Sequence, residues 1–220
     1  MRLLHGLRDP HSRLSLARRL RSRRFDFFRG LLARLPPPIS ILDVGGPQDF
    51  WESMGFVDPE SCRIAILNVH APASRHANME TIAGDACQMD DFEDGRFDIV
   101  FSNSVIEHVG DTERQEAMAR EVRRVGKRYF IQTPNLYFPI EPHFLFPFFQ
   151  FLPISARGWL LQNLSLSWGG RIRDPASARE AARSVRLLGL SRFRAMFPEA
   201  QIYQERVLGL TKSFIAYGRW

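Results

Sequence analysis

Apolar positions along the chain change period at residue 39. Before it, Leu14, Leu16, Leu20, Phe27, Phe28, Leu31, Leu32 and Leu35 recur at helical spacing, which predicts one or two helices over residues 12–35. Pro36-Pro37-Pro38 stops them, because consecutive prolines cannot continue a helix. Ile39 to Val44 is then a short apolar run closed by Gly45-Gly46-Pro47, the pattern of a buried parallel strand and a tight turn. A helix around Asp49 to Met54 should follow. Arg63 to Val69, part of Glu80 to Ala86, Arg96 to Asn103 and Arg128 to Thr133 read as further strands. Between the last two, Thr112 and Gln115 suit a capping box. Met118, Val122 and Val125 then mark one helix face, and Gly126 stands where a closing glycine belongs. Strands alternating with helices predict an α/β domain on a parallel sheet.

The alternation stops after Pro134. Residues 137–154 hold six Phe and four Pro, so they cannot form one regular helix. We expect an inserted lid or arm over 136–172. Asp174-Pro175 should start a helix, with Asp as cap and Pro at the first position, running to about Leu188 with Gly189 closing it. A helical turn or two should span Ser191 to Phe197. Gln201–Val207 and Thr211–Tyr217, joined through a Leu-Gly turn, read as an antiparallel hairpin. The expected whole is a seven-stranded, mostly parallel sheet with an antiparallel C-terminal hairpin, in three α/β/α layers.

Composition narrows the function classes. The chain has 220 residues, 45% of them hydrophobic and 25% charged, which excludes a disordered or fibrous protein. The uncharged run Phe144 to Ala156 contains Gln150 and two prolines, too short and broken for a membrane helix. No apolar stretch follows the N-terminal arginines, which argues against a secretory signal. Cys62 and Cys87 make neither a disulfide framework nor a metal site, and the histidines show no ligand spacing. A cytoplasmic setting is expected. The charge divides sharply. Residues 1–38 carry ten Arg and two Asp, residues 39–135 nine basic and seventeen acidic side chains, and residues 136–220 eleven basic and five acidic. An acidic centre between basic flanks suits a cationic ligand, although solvated surface acids explain most of that charge. We read 1–38 as a basic helical cap and 39–220 as the α/β domain.

In open parallel sheets, ligands bind beyond the carboxyl ends of the strands. Those ends carry Asp43, Gly45 and Gly46 after strand one, Asn68 after strand two, Asp85 and Ala86 after strand three, and Asn103 followed by Glu107 and His108 after strand four. With these residues, ILDVGG, ILNV, GDA and FDIVFSNSVIEHV resemble the class I S-adenosylmethionine-dependent methyltransferases, a Rossmann-like fold. The similarity covers about residues 39–135 and is greatest to small bacterial enzymes acting on metabolites, quinones, lipids or sugars. It implies S-adenosyl-L-methionine as cofactor. Asp43, Gly45, Gly46 and Asn103 would lie near its methionine part, Asn68 at the ribose, and Asp85 and Ala86 at the adenine. Two features depart from the family. The glycine loop reads DVGGPQD instead of D-x-G-x-G-x-G, and Asn68 replaces the usual ribose-binding acid. An amide accepts a hydroxyl proton without the strength of a carboxylate.

The acceptor side offers His108, Tyr137, Glu141 and His143. Glu141-Pro142-His143 sets two titratable groups in a proline-stiffened turn after strand five. His143, Glu141 or His108 could orient or deprotonate an acceptor hydroxyl, or equally anchor backbone. The resemblance thus implies methyl transfer, on oxygen by preference, to a small-molecule or lipid-like acceptor. One alternative is a non-catalytic module contacting membrane or a partner through the basic N-terminus and the aromatic segment. Another is RNA methylation. Within the family it resembles, Ser102-Asn103-Ser104-Val105, where an Asn-Pro-Pro-Tyr-like motif would stand, argues against methylation of exocyclic amines of DNA bases or of protein glutamine.

Overall fold

The computed structural model describes residues 16–140, 144, 146–166 and 170–220. Its elements in chain order are α1 (Leu16–Leu32), β1 (Ile39–Val44), α2 (Gln48–Ser53), β2 (Cys62–Asn68), β3 (Met79–Ala83), β4 (Phe97–Asn103), α3 (Thr112–Val125), β5 (Gly126–Pro134), a 3-10 turn (Phe149–Phe151), α4 (Ile154–Asn163), α5 (Pro175–Arg183), α6 (Leu190–Met196), β6 (Gln201–Val207) and β7 (Leu210–Gly218). The strands form one seven-stranded sheet in the order β3-β2-β1-β4-β5-β7-β6. β1 to β5 pair in parallel, and β7 runs antiparallel to both of its neighbours. The expected architecture is borne out.

Two apolar layers hold the sheet. On one face, Met118, Ala119, Val122 and Val125 of α3 and Phe193 and Met196 of α6 cover Val100, Tyr129 and Ile131. On the other, Phe25, Phe28, Leu31 and Leu32 of α1 meet Trp51, Ile41, Phe101 and Phe130. The Phe28 ring lies 4.9 Å from Phe101 and 5.0 Å from Phe130. Burying an aromatic of this size contributes about 2–3 kcal/mol from its area alone. A third cluster joins Phe144, Phe149 and Leu161 to Ala178 and Ala182, where the small α5 alanines let α4 pack closely.

Three local expectations need correcting. The cap of α3 is Asp111, whose side chain accepts from the Arg114 N–H, one residue before the expected Thr112. The buried Gln115 instead donates to the carbonyls of Ile106 and Arg186. Gly126 has φ −101°, opens β5 and forms no left-handed cap. A Cβ there would sit 2.7 Å from the Arg128 carbonyl and from Val100. Finally, α5 ends at Arg183, short of Leu188. Leu188 is buried and bridges Asn135 in extended form, so the helix must stop before it. Gly189 caps the start of α6.

Candidate active site

At the carboxyl end of β1 the chain turns sharply over its own last acidic residue. Gly45 has φ +83°, a left-handed conformation that glycine adopts freely, and its N–H donates to the Leu67 carbonyl at 2.8 Å. A Cβ at Gly45 would lie 2.5 Å from Val105, and one at Gly46 would overlap the Asp43 carboxylate. The turn therefore exposes bare backbone, which lets a ligand approach closely.

Asp43 lies beneath that turn at 0% exposure. Its Oδ2 accepts from Trp51 Nε1 at 2.6 Å, and its Oδ1 has no partner among the described residues. Burial raises the carboxyl to about 7, with the Trp51 hydrogen bond opposing. A buried carboxylate oxygen with no donor is costly unless a cation or donor meets it.

Beside the turn is a cavity of about 720 Å³, lined by Gly45, Gly46, Gln48, Ile66, Asn68 and Thr81, among others. Its outer wall is the segment after β2. Gln48 holds that wall by donating to the Ala73 carbonyl and accepting from the Arg75 N–H. Arg75 also pairs with Asp49 and Glu52. Asn68 Nδ2 donates to the Gly46 carbonyl at 2.9 Å, joining the ends of β1 and β2. A carboxylate could not make that bond, which gives the amide a structural reason here. Asn68 Oδ1 has no hydrogen bond among the described residues.

The structure thus brings Gly45, Gly46 and Asn68 together around one cavity, with Asp43 under its floor. It places the other expected residues apart from its lining. Asp85 pairs with Arg114 at 2.8 Å, which holds its carboxyl below the usual range. Ala86 packs at the edge of the α3-side core. Asn103 accepts a hydrogen bond from Arg24 of α1. His108 is exposed, and its N–H donates to the Val105 carbonyl. Tyr137 is 69% exposed and stacks on Phe151. Glu141 and His143 lie outside the described residues. A second hollow, of about 310 Å³, is lined by Leu136, Phe149, Arg157 and Arg186, among others, and shares no lining residue with the first.

Ser104, one of the polar residues expected at the end of strand four, holds φ 59° and donates its hydroxyl to Gln132. Other polar groups at this edge were not legible in the sequence. Arg24 makes two bonds to the buried Glu205 of β6, Nε to Oε1 at 2.9 Å and a second nitrogen to Oε2 at 2.6 Å. Ser213 of β7 also donates to Glu205. Trp51 and Gln48 belong to the same set. Only the tertiary fold assembles them.

Comparison with known proteins bears on the matched segment and the fold. Residues 55–129 match the family model for a methyltransferase domain. Two curated proteins from strains of Mycobacterium tuberculosis, both described as uncharacterized, are 39% identical over 64 residues, 29% of this chain and 22% of theirs. The match therefore spans under a quarter of those relatives. Among solved structures, Burkholderia thailandensis 1,6-didemethyltoxoflavin-N1-methyltransferase, with its substrate and S-adenosylhomocysteine bound, superposes with a TM-score of 0.53 at 12% identity, covering 90% of this chain and 76% of that one. A chain from the complex of the Haloferax volcanii Trm112 methyltransferase activator gives 0.51 at 12% identity, covering 91% and 92%. The matched segment is similar to a methyltransferase domain, and the superpositions show that the chain shares the fold of these solved structures.

Proposed function

We propose that the protein transfers a methyl group from S-adenosylmethionine to a small-molecule or lipid-like acceptor, on oxygen by preference. The observation that carries this reading is the cavity at the ends of β1 and β2, floored by a glycine turn that no side chain could replace. Its volume lies in the ordinary range for cofactor sites, about 300–1,000 Å³. Two features fit this cofactor in particular. The Gly45–Gly46 cradle is what an extended nucleoside-bearing ligand needs, and the unpartnered Asp43 oxygen suits a cationic one.

When bound, S-adenosylmethionine supplies an electrophilic methyl on a sulfonium. The chain's part is to hold and orient. Gly45 and Gly46 present backbone without steric obstruction. Asn68 Oδ1 is placed to accept from a ribose hydroxyl while Nδ2 fixes the turn. A bound cation would draw the Asp43 carboxyl down and favour its ionised form, which then supplies negative potential beneath the turn. Fixing donor and acceptor in line removes entropy from the barrier, worth up to about 7–11 kcal/mol in the best-oriented reactions. Tyr137, Phe148, Phe151 and Trp159 are exposed along the segment after β5. They support an apolar or lipid-like acceptor, or a peripheral membrane contact. His143, Glu141 and His108 remain our proposals for the group that orients or deprotonates an acceptor hydroxyl.

Ala73 is an exposed residue on the cavity wall. Ala73→Trp should fill the cavity mouth and abolish S-adenosylhomocysteine binding in calorimetry, while thermal stability stays within about 0.5 kcal/mol of the parent, as for other surface changes. Unchanged binding in that variant would place the cofactor elsewhere.

A further inference from the structure

The edge of the sheet that carries the glycine turn also gathers bare apolar side chains. β7 runs antiparallel to β5, with Pro134 opposite Ser213. The β6–β7 turn therefore lies at the carboxyl end of the parallel strands, beside the chain leaving β5. Asn135 ties the two together. Its N–H donates to the Lys212 carbonyl and its Nδ2 to the Thr211 carbonyl. Leu208 at the tip of that turn is 98% exposed, and Leu210 is exposed beside it. Past Asn135 come Tyr137 and, packed against it, the loop from Phe148 to Phe151. The Phe148 N–H donates to the Pro139 carbonyl, and Gln150 Nε2 to the carbonyls of Leu136 and Phe138. Tyr137, Phe148 and Phe151 are exposed there.

Leu208 and Phe148 also share a backbone cost. Their φ angles are 50° and 57°, in the left-handed region that Gly and Asn enter more readily than other side chains. Burial does not offset that cost, since both side chains are largely bare. Folding alone would favour Asn at either position. An exposed hydrophobe held in such a conformation points to a surface that covers it.

The surrounding charge says which surface. Residues 206–212 contain Arg206 and Lys212 and no acid, and residues 142–173 contain three Arg and no acid. Glu205, just before the hairpin tip, is buried and held by Arg24. α1 adds the exposed Arg21 and Arg23 in the turn that carries Arg24, whose side chain reaches Asn103 at the carboxyl end of β4. Leu, Phe and Tyr side chains set among cations match an anionic bilayer. Its headgroups meet the cations and its acyl boundary takes up the apolar tips.

We propose that this edge docks on an anionic lipid bilayer through Leu208, Leu210, Phe148 and Phe151, with Arg21 and Arg206 supplying the attraction. The docking rests on the edge alone. Its consequence, that an acceptor reaches the methyl donor from the lipid phase, rests on the methyltransferase reading.

The test follows cosedimentation of the full chain with two kinds of vesicle, phosphatidylcholine alone and equal parts phosphatidylcholine and phosphatidylglycerol. Binding should appear with the anionic vesicles and weaken as salt is raised. The double variant Leu208→Asn with Phe148→Asn should bind about tenfold more weakly, equivalent to about 1.4 kcal/mol. Its thermal midpoint should be no lower than the parent's, because Asn suits the left-handed backbone. Arg206→Gln should weaken binding about fivefold, as for one cation near an anionic surface. S-adenosylhomocysteine affinity should be unaltered in both variants. Equal binding to the two kinds of vesicle, or anionic binding indifferent to the double variant, would overturn the proposal. A lower midpoint in the double variant would overturn it too, since folding would then account for both residues. No vesicle binding, with a concentration-dependent dimer that the double variant abolishes, would assign the edge to a second copy of the chain instead. Vesicle binding without S-adenosylhomocysteine binding would keep the docking edge and remove the methyltransferase reading. Cofactor binding without vesicle binding would do the reverse.

Discussion

Asp43 is where residue chemistry is most exposed to test. Its carboxyl titrates at about 7 in the fold, because burial outweighs the Trp51 hydrogen bond, against about 3.9 in an unfolded chain. Between those values the native state keeps a proton that the unfolded state has lost. Stability should therefore fall as pH rises from about 4 to 7, by up to about 1.4 kcal/mol per unit. Asp43→Asn should flatten that slope, measured by urea unfolding across the range; an unchanged slope would mean Asp43 is ionised throughout. Asn68 gives a second prediction. Asn68→Asp removes the donor to the Gly46 carbonyl and should cost about 1–3 kcal/mol of stability. Asp43, Asn68 and the glycines could be found from the sequence because each stands at a strand end. The amide's duty toward Gly46 could not, since it depends on where two loops meet.

At the level of elements, the strands were the most legible, since Ile39–Val44, Cys62–Asn68 and Phe97–Asn103 are nearly continuous apolar runs buried on both faces. Helix ends were less so. Asp111 rather than Thr112 caps α3 because its side chain reaches the Arg114 N–H, and two adjacent capping-type residues leave that choice to geometry. Asp111→Ala should lower stability by about 1 kcal/mol in thermal unfolding. The glycine turn carries a sharper consequence. Gly45→Val forces a β-branched residue into φ +83° against Val105, so it should destabilise the domain as well as remove the proposed cofactor cradle. For that reason Ala73→Trp separates binding from folding where Gly45→Val cannot.

Across the whole molecule, the link between α1 and the far end of the chain was hidden from the sequence. Arg24 and Glu205 are 181 positions apart, and neither stands in a motif. Glu205 is 4% exposed and Arg24 11%, so Arg24→Met leaves a buried carboxylate without its ion-pair partner, with an expected cost of about 3–5 kcal/mol. Glu205→Gln in the same chain should recover most of that loss, and failure to do so would mean the pair is not what ties α1 to the sheet. The basic N-terminal stretch thus has a described structural use at its second half, where Phe25 and Phe28 anchor it and Arg24 locks it over the end of β4. The acidic centre likewise resolves into particular duties. Asp85 holds Arg114, Glu121 and Asp94 hold Arg124, and Asp43 lies under the glycine turn.

Calorimetric titration of the full chain with S-adenosylhomocysteine tests the central claim most directly. One-to-one binding is predicted, lost in Ala73→Trp while the fold persists. No heat of binding up to millimolar ligand, from a protein that unfolds cooperatively, would contradict it.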